Sequence, residues 1–161
     1  MPQQYEFRHD AFLITTDPAR IDVDVVHAFL RDAYWCRGLP RGVLERSIAH
    51  SMCFSVIDES KRPPAQVGIA RVITDRATYA YLADVFILES SRGRGLSKRL
   101  MEAILGHPEL QGLRRFCLMT RDAHGLYEQF GFGYLADPKR YMEIIVPDIY
   151  QREVSPAGSR A

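Results

Sequence analysis

The chain has 161 residues, 47% of them apolar and 25% charged, with 21 Lys+Arg against 20 Asp+Glu for a formal net charge of +1. That length can bury a sizeable core in one compact domain, and the composition is that of an ordinary globular protein. So even a balance excludes a general attraction to polyanions, whether nucleic acid or acidic membrane, and leaves only a local basic cluster as an anion site.

In chain order, "YEFR" and "AFLITT" read as short strands. From Ile21 to Tyr34, the residues Val25, Val26, Phe29, Leu30 and Ala33 recur at helical spacing, with Asp22 or Asp24 as cap or dipole partner. "RGVLERSIAHS" predicts a second helix that buries Val43, Leu44 and Ile48. Three strand-like runs follow, "MCFSVID", "AQVGIARVIT" and "TYAYLADVFIL", the first two divided by the hairpin stretch "ESKRPP". Strict alternation in the third would put Tyr79, Tyr81, Ala83, Val85 and Ile87 on one face, and Ala80, Leu82, Asp84, Phe86 and Leu88 on the other.

A helical stripe of Leu96, Leu100, Met101, Ile104 and Leu105 then ends near "GHP". "RRFCLMT" reads as a buried strand, "AHGLYEQFGF" as a short helix closed by Gly131, and "FGYL" and "YMEIIVP" as terminal strands. The alternation of elements implies an α/β domain with a mixed sheet and one parallel strand pair. Residues 1–150 are expected to form that single domain. Residues 151–161 are expected to be a disordered tail, because "SPAGSRA" is too polar and small to pack.

No apolar run approaches the roughly 18–20 residues that cross a bilayer, and "MPQQYEFRHD" lacks the apolar segment of a signal peptide. Cys36, Cys53 and Cys117 are odd in number and contain no CxxC, which reads as reduced thiols in a cytoplasmic protein. His9, His27, His50, His107 and His124 show no metal-ligand spacing, so no metal is expected.

The densest chemical signal is "LESSRGRGLSKRL", Leu88 to Leu100. A strand ends at Leu88, a turn runs from Arg92 to Gly95, and a helix opens at Leu96. The first N–H groups of a helix lack partners within it, and the helix dipole places about half a positive charge there. Glycines let a ligand approach bare backbone, and arginine forks match phosphate oxygens. The stretch therefore suits an anion; a tight turn with solvated arginines is the plainer alternative. No GK[ST] follows and the spacing is not GxGxxG, which disfavours a nucleotide site of either kind and leaves a pyrophosphate on another carrier.

"RGRGLS" resembles the pyrophosphate signature Q/R-x-x-G-x-G/A of the GNAT superfamily of N-acyltransferases, with Arg92 first, Gly95 central and Ser97 where Gly or Ala is usual. "AHGLYEQFGF" is similar to that family's A-x-x-x-Y-x-x-x-G-F segment, with Ala123, Tyr127, Gly131 and Phe132 in register. Thr120 stands where the family often has Asn. The likeness extends over roughly residues 5–146 and is strongest from Tyr81 to Phe132.

The resemblance implies a three-layer α/β domain with about four helices, its mixed central sheet splayed at one parallel pair, "YLADVFIL" beside "RRFCLMT". It implies acetyl-CoA as acyl donor and a primary amine, on a small molecule or an exposed protein site, as acceptor. The backbone of Phe86, Ile87 and Leu88 would pair with the pantetheine arm, and Arg92, Gly93, Arg94, Gly95, Leu96 and Ser97 would hold the pyrophosphate, with Thr120 and Ala123 lining the arm. Tyr127 would protonate the departing thiolate. Asp84 is costly mid-strand unless it meets water, a partner or substrate. It could attract or deprotonate the amine, or form a salt bridge with Arg71. Trp35 and Arg37, after the first helix, could wall the acceptor pocket beside Tyr34 or simply pack the helix end. A non-catalytic acyl-CoA-binding regulatory module is the alternative function. Homodimers are among the assemblies such a family forms.

Overall fold

The computed structural model describes residues 4–152. Six strands form one sheet in sequence order: β1 (Glu6–His9), β2 (Phe12–Thr15), β3 (Met52–Asp58), β4 (Ala65–Thr74), β5 (Tyr79–Ile87) and β6 (Arg115–Leu118). Neighbours run antiparallel through β5, whereas β5 and β6 are parallel, joined across α3 as a crossover requires.

Helices α1 (Val23–Leu30) and α2 (Arg41–Ala49) cover one face, and α3 (Leu96–Gly106) with α4 (His124–Glu128) covers the other. Period-two alternation supplies both cores. On β3 and β4, Phe54, Ala70 and Val72 face α3, whereas Cys53 and Ile69 face α1. Leu96, Leu100, Met101 and Ile104 are buried at the spacing the sequence predicts, joined by Ala103.

Four details differ from expectation. Helix α1 is shorter than Ile21–Tyr34. Asp22 Oδ1 caps it by accepting from the N–H groups of Asp24 and Val25, and the chain leaves helical geometry after Leu30 into a loop turned by Gly38 at φ +83°. Ala33 in that loop is buried, which is why its spacing resembled helix, and Leu39 further along the loop is buried too. Secondly, β6 is a half-exposed edge strand rather than a buried one. Thirdly, "FGYL" and "YMEIIVP" form no strands, so β6 gains no outer neighbour. The expected tail at 151–161 lies outside the described residues from 153 onward.

The fourth difference shapes the site. On β4, Ile69 and Arg71 stand opposite Phe86 and Ala83, so two β5 residues, Asp84 and Val85, face the single residue Ala70. This is a β-bulge, with Asp84 in the left-handed region at φ +52°. The extra residue inverts the alternation. Ala80 and Leu82 share the α3-side core with Ile87, while Phe86 turns to the α1 side. The face assignment across the whole of β5 therefore fails beyond Ala83.

Candidate active site

Pairing between β5 and β6 stops at Leu82 and Leu118. From Ala83 onward the β5 edge has no strand neighbour, so the sheet opens into a cleft at the C-terminal ends of a parallel pair. Backbone groups along such an edge need partners. In an antiparallel ladder they point alternately to either side. Leu88 N–H donates to Val67 O on β4 at 2.7 Å. The N–H and C=O of Ile87 therefore face the open edge, and the Arg92 Nε donates to Ile87 O there at 3.0 Å.

That edge leads into the start of α3. Gly95 caps the helix at φ +71° with no side-chain hydrogen bond, and Gly93 in the same turn has φ +78°. Only glycine takes such angles without strain. A Cβ built on either would meet nothing within 4 Å, so the space in front of the turn is open. The first helical bond runs from Arg99 N–H to Gly95 O, leaving the N–H groups of Leu96, Ser97 and Lys98 without helical partners. Leu96 is buried and Ser97 half-buried, which anchors the turn to the core. The Arg94 guanidinium lies 5.7 Å from the centroid of the Phe12 ring.

Across the opening, Thr120 and Ala123 connect β6 to α4. Thr120 Oγ1 accepts from Ala123 N–H at 3.0 Å, so the hydroxyl proton stays free to donate. Tyr127 on α4 is 8% exposed, and its ring sits edge-on to Phe132. Burial, then nearby Tyr34, raises its phenol pKa above the usual value. The structure gives the Tyr127 hydroxyl no hydrogen-bond partner among the described residues, yet no buried side-chain oxygen there is fully sealed without one. A cavity of about 680 Å³ reaches Tyr127, Thr120 and Leu118, between β6 and the segment 131–136.

The other side of the sheet meets the loop after α1. Asp84 Oδ2 accepts from Arg71 Nε at 2.8 Å, and Oδ1 accepts from Trp35 Nε1 at 3.0 Å. Both ion-pair side chains are largely buried, 16% exposed for Arg71 and 12% for Asp84. Arg71 Nη1 also donates to Ser51 Oγ at 3.0 Å. Asp84 thus occupies the salt bridge that its position allowed, while also fixing the half-exposed Trp35. Burial first, and the Asp84 charge second, push the Cys36 thiol up to about 12.

Tyr34 lies edge-on to Trp35 at 5.0 Å, and the Arg121 guanidinium is stacked 3.8 Å over the Tyr34 ring. The α1 loop is thereby drawn across the cleft toward α4. Arg37 is exposed on that loop with no hydrogen bond or ion pair among the described residues. Sequence reasoning missed Arg121. Its position just beyond a parallel strand, where open α/β sheets collect ligands, was the available signal. No cluster of three or more His, Cys, Asp or Glu suited to a metal exists among the described residues, and no described helix is long and apolar enough to cross a membrane.

Residues 50–133 match the profile of the family described as an acetyltransferase (GNAT) domain. The chain is 33% identical over 136 residues to a candidate acetyltransferase of Gibberella zeae, covering 72% of this chain and 75% of that protein. Its structure is similar to that of a candidate GNAT-family acetyltransferase from Xanthomonas campestris pv. campestris. The TM-score is 0.82 at 43% identity, over 94% of this chain and 99% of that one. The fold alone is shared with N-acetylglutamate synthase of Neisseria gonorrhoeae, solved in complex with coenzyme A and L-arginine. There the TM-score is 0.57 at 17% identity, over 76% of this chain and 27% of that one.

Proposed function

Because this chain belongs to the GNAT family of acetyltransferases, we propose that it moves an acetyl group from acetyl-CoA directly to a primary amine, of a small molecule or an exposed protein site, with Tyr127 as general acid. One observation carries the reading: the β5 edge left open beyond Leu82 ends at an uncapped helix start with empty space before Gly93 and Gly95.

Those residues fit the donor. The free N–H groups of Leu96, Ser97 and Lys98, with the charges of Arg92 and Arg94, suit a diphosphate. The edge of Phe86 to Leu88 offers amide pairing to an extended pantetheine arm, and Thr120 and Ala123 wall the far side. Acetyl-CoA supplies the thioester. Ile87 N–H, pointing into the opening, is placed to donate to the thioester oxygen as negative charge develops there.

Tyr127 holds a proton at its hydroxyl for the departing sulfur. A thiol near ~8.5 and a phenol near ~10 are close enough that hydrogen bonding assists, and burial keeps the phenol protonated at neutral pH. An alkyl amine with pKa near ~10 arrives as a cation and gives up one proton, through water to Asp84 or to bulk solvent, before its lone pair attacks the thioester carbon and the C–S bond breaks. Asp84 contributes by attracting that charge and by holding Trp35, which with Tyr34 and Arg37 forms the acceptor wall.

The test is thiol release from acetyl-CoA across a panel of amino acids, polyamines, aminoglycosides and peptides, alongside calorimetry with CoA. Sustained, amine-dependent release supports transfer. CoA binding without release under any acceptor would make the chain a binding module, and absence of CoA binding would remove the cradle.

A further inference from the structure

Helix α3 ends against a buried histidine. His107, directly after Gly106, is 5% exposed. Its ring is wedged between Tyr5, with centroids 4.9 Å apart, and Phe54, which meets it edge-on at 5.6 Å. His107 Nδ1 accepts from Glu109 N–H at 3.2 Å, so in the neutral ring the proton sits on Nε2. Burial, the largest influence, lowers the His107 pKa, which keeps the ring neutral at pH 7. Among the described residues no group accepts from Nε2–H, yet that nitrogen is not sealed inside protein. A buried donor left unpaired is costly. It opens instead onto a space from which a partner can come.

That space is a cavity of about 780 Å³ lined by His107, within the size range of small-molecule sites. Ile21, Ile48 and Met52 give it an apolar wall. Its charged lining residues are Asp17, Arg76 and Glu109. Arg76 and Glu109 neutralise one another at 2.9 Å, so Asp17 leaves the lining net negative. A carboxylate or phosphate is repelled there. An ammonium would suit Asp17 but has no lone pair to offer Nε2–H. The lining fits an uncharged molecule that is apolar along its length and carries one acceptor oxygen. Helix α3, 11 residues and about 16 Å long, separates this cavity from the turn at Gly95. None of its lining residues belongs to the cavity around Tyr127.

We propose that this cavity is a second ligand site: it holds a small uncharged apolar molecule whose carbonyl oxygen accepts from His107 Nε2–H and whose apolar body lies against Ile21, Ile48 and Met52. The stack with Tyr5 and Phe54 fixes the imidazole plane, and the Glu109 N–H fixes its tautomer, so the donor is aimed before the ligand arrives. Occupancy of this site is independent of the transfer chemistry at the other end of α3.

Two probes of similar size test it by nuclear magnetic resonance on the full chain: benzylacetone, with a neutral carbonyl, and hydrocinnamate, with a carboxylate. Benzylacetone is expected to bind with a dissociation constant of about 1 mM, shifting the Met52 methyl and His107 ring signals to saturation. Hydrocinnamate should bind about 10-fold more weakly or not at all. His107→Asn keeps an acceptor for Glu109 N–H and loses Nε2–H, and should weaken benzylacetone about 10-fold. Ala49→Phe fills the cavity from the exposed end of α2, leaves the His107 packing intact and should abolish binding. Four results would each overturn the proposal: no saturable shift at these residues up to about 10 mM benzylacetone, hydrocinnamate bound as tightly as benzylacetone, equal affinity in folded His107→Asn, or binding that survives Ala49→Phe.

Discussion

Replacing Gly95 by Asp separates the binding role of the α3 entrance from its structural role. Gly95 sits at φ +71°, a conformation that costs a residue with a Cβ about 1–2 kcal/mol. No atom within 4 Å opposes the new Cβ, so steric cost adds nothing. A carboxylate at a helix N-terminus regains about 0.3–1 kcal/mol. The net loss of stability is therefore about 1 kcal/mol, a shift of a few degrees in Tm. Binding responds differently. A carboxylate placed roughly 5 Å from a doubly charged diphosphate costs about 2 kcal/mol even at the screening of bulk water, and more in a drier cleft. CoA affinity should fall by ~30-fold or more. Calorimetric titration with CoA and thermal unfolding of the free protein measure the two quantities on the same sample. Wild-type affinity in a folded Gly95→Asp protein would show that the helix start does not hold the diphosphate.

Tyr127→Phe should slow thiol release by about 10–10³-fold while CoA affinity stays within a factor of two; turnover at the wild-type rate would take Tyr127 out of the chemistry. Asp84→Asn keeps a residue that tolerates φ +52° but leaves Arg71 facing an uncharged partner. It should cost about 2–4 kcal/mol of stability in denaturant titration, and a loss under 0.5 kcal/mol would mean the pair is solvated. Burial raises the Cys53 thiol from its ordinary 9.0 to about 12. The unfolded chain then loses its proton first, so this stability is complete below pH 9 and declines as pH rises toward 12. Between pH 9 and pH 11 the wild type should lose about 2–3 kcal/mol that Cys53→Ala does not lose, and parallel pH curves for the two proteins would contradict the burial.

Most of the fold was legible because α3 and the antiparallel strands carry their own periodicity. Leu96, Leu100, Met101 and Ile104 could face only one core. The turn at Gly93 and Gly95 was equally readable, since paired glycines before an apolar stripe mean an exposed helix start. Two features were not. The bulge at Asp84 inserts one residue into β5 through backbone pairing with β4, and no local composition announces it. Reading Tyr141–Val146 as a strand recognised its side chains, yet a strand needs a neighbour, and pairing is not a local property. In the site, Thr120, Tyr127, Gly131 and Phe132 line one cavity, whereas Gly93 and Gly95 stand at the open entrance to α3. The bond from Trp35 to Asp84, 49 positions apart, and the stack of Arg121 on Tyr34 depend on how a loop crosses the sheet.

The hydrogen bond from Arg92 to the Ile87 carbonyl does more than fill a vacant acceptor. It rivets the last residue of a strand to the turn that launches the next helix, so these two surfaces keep a constant offset when the domain breathes. A long, jointed molecule gripped at one of them has its reach along the other set in advance, like a measure fixed at its zero mark. Lengthening or shortening residues 89–91 by a single residue would spoil that calibration without touching any group that contacts the molecule.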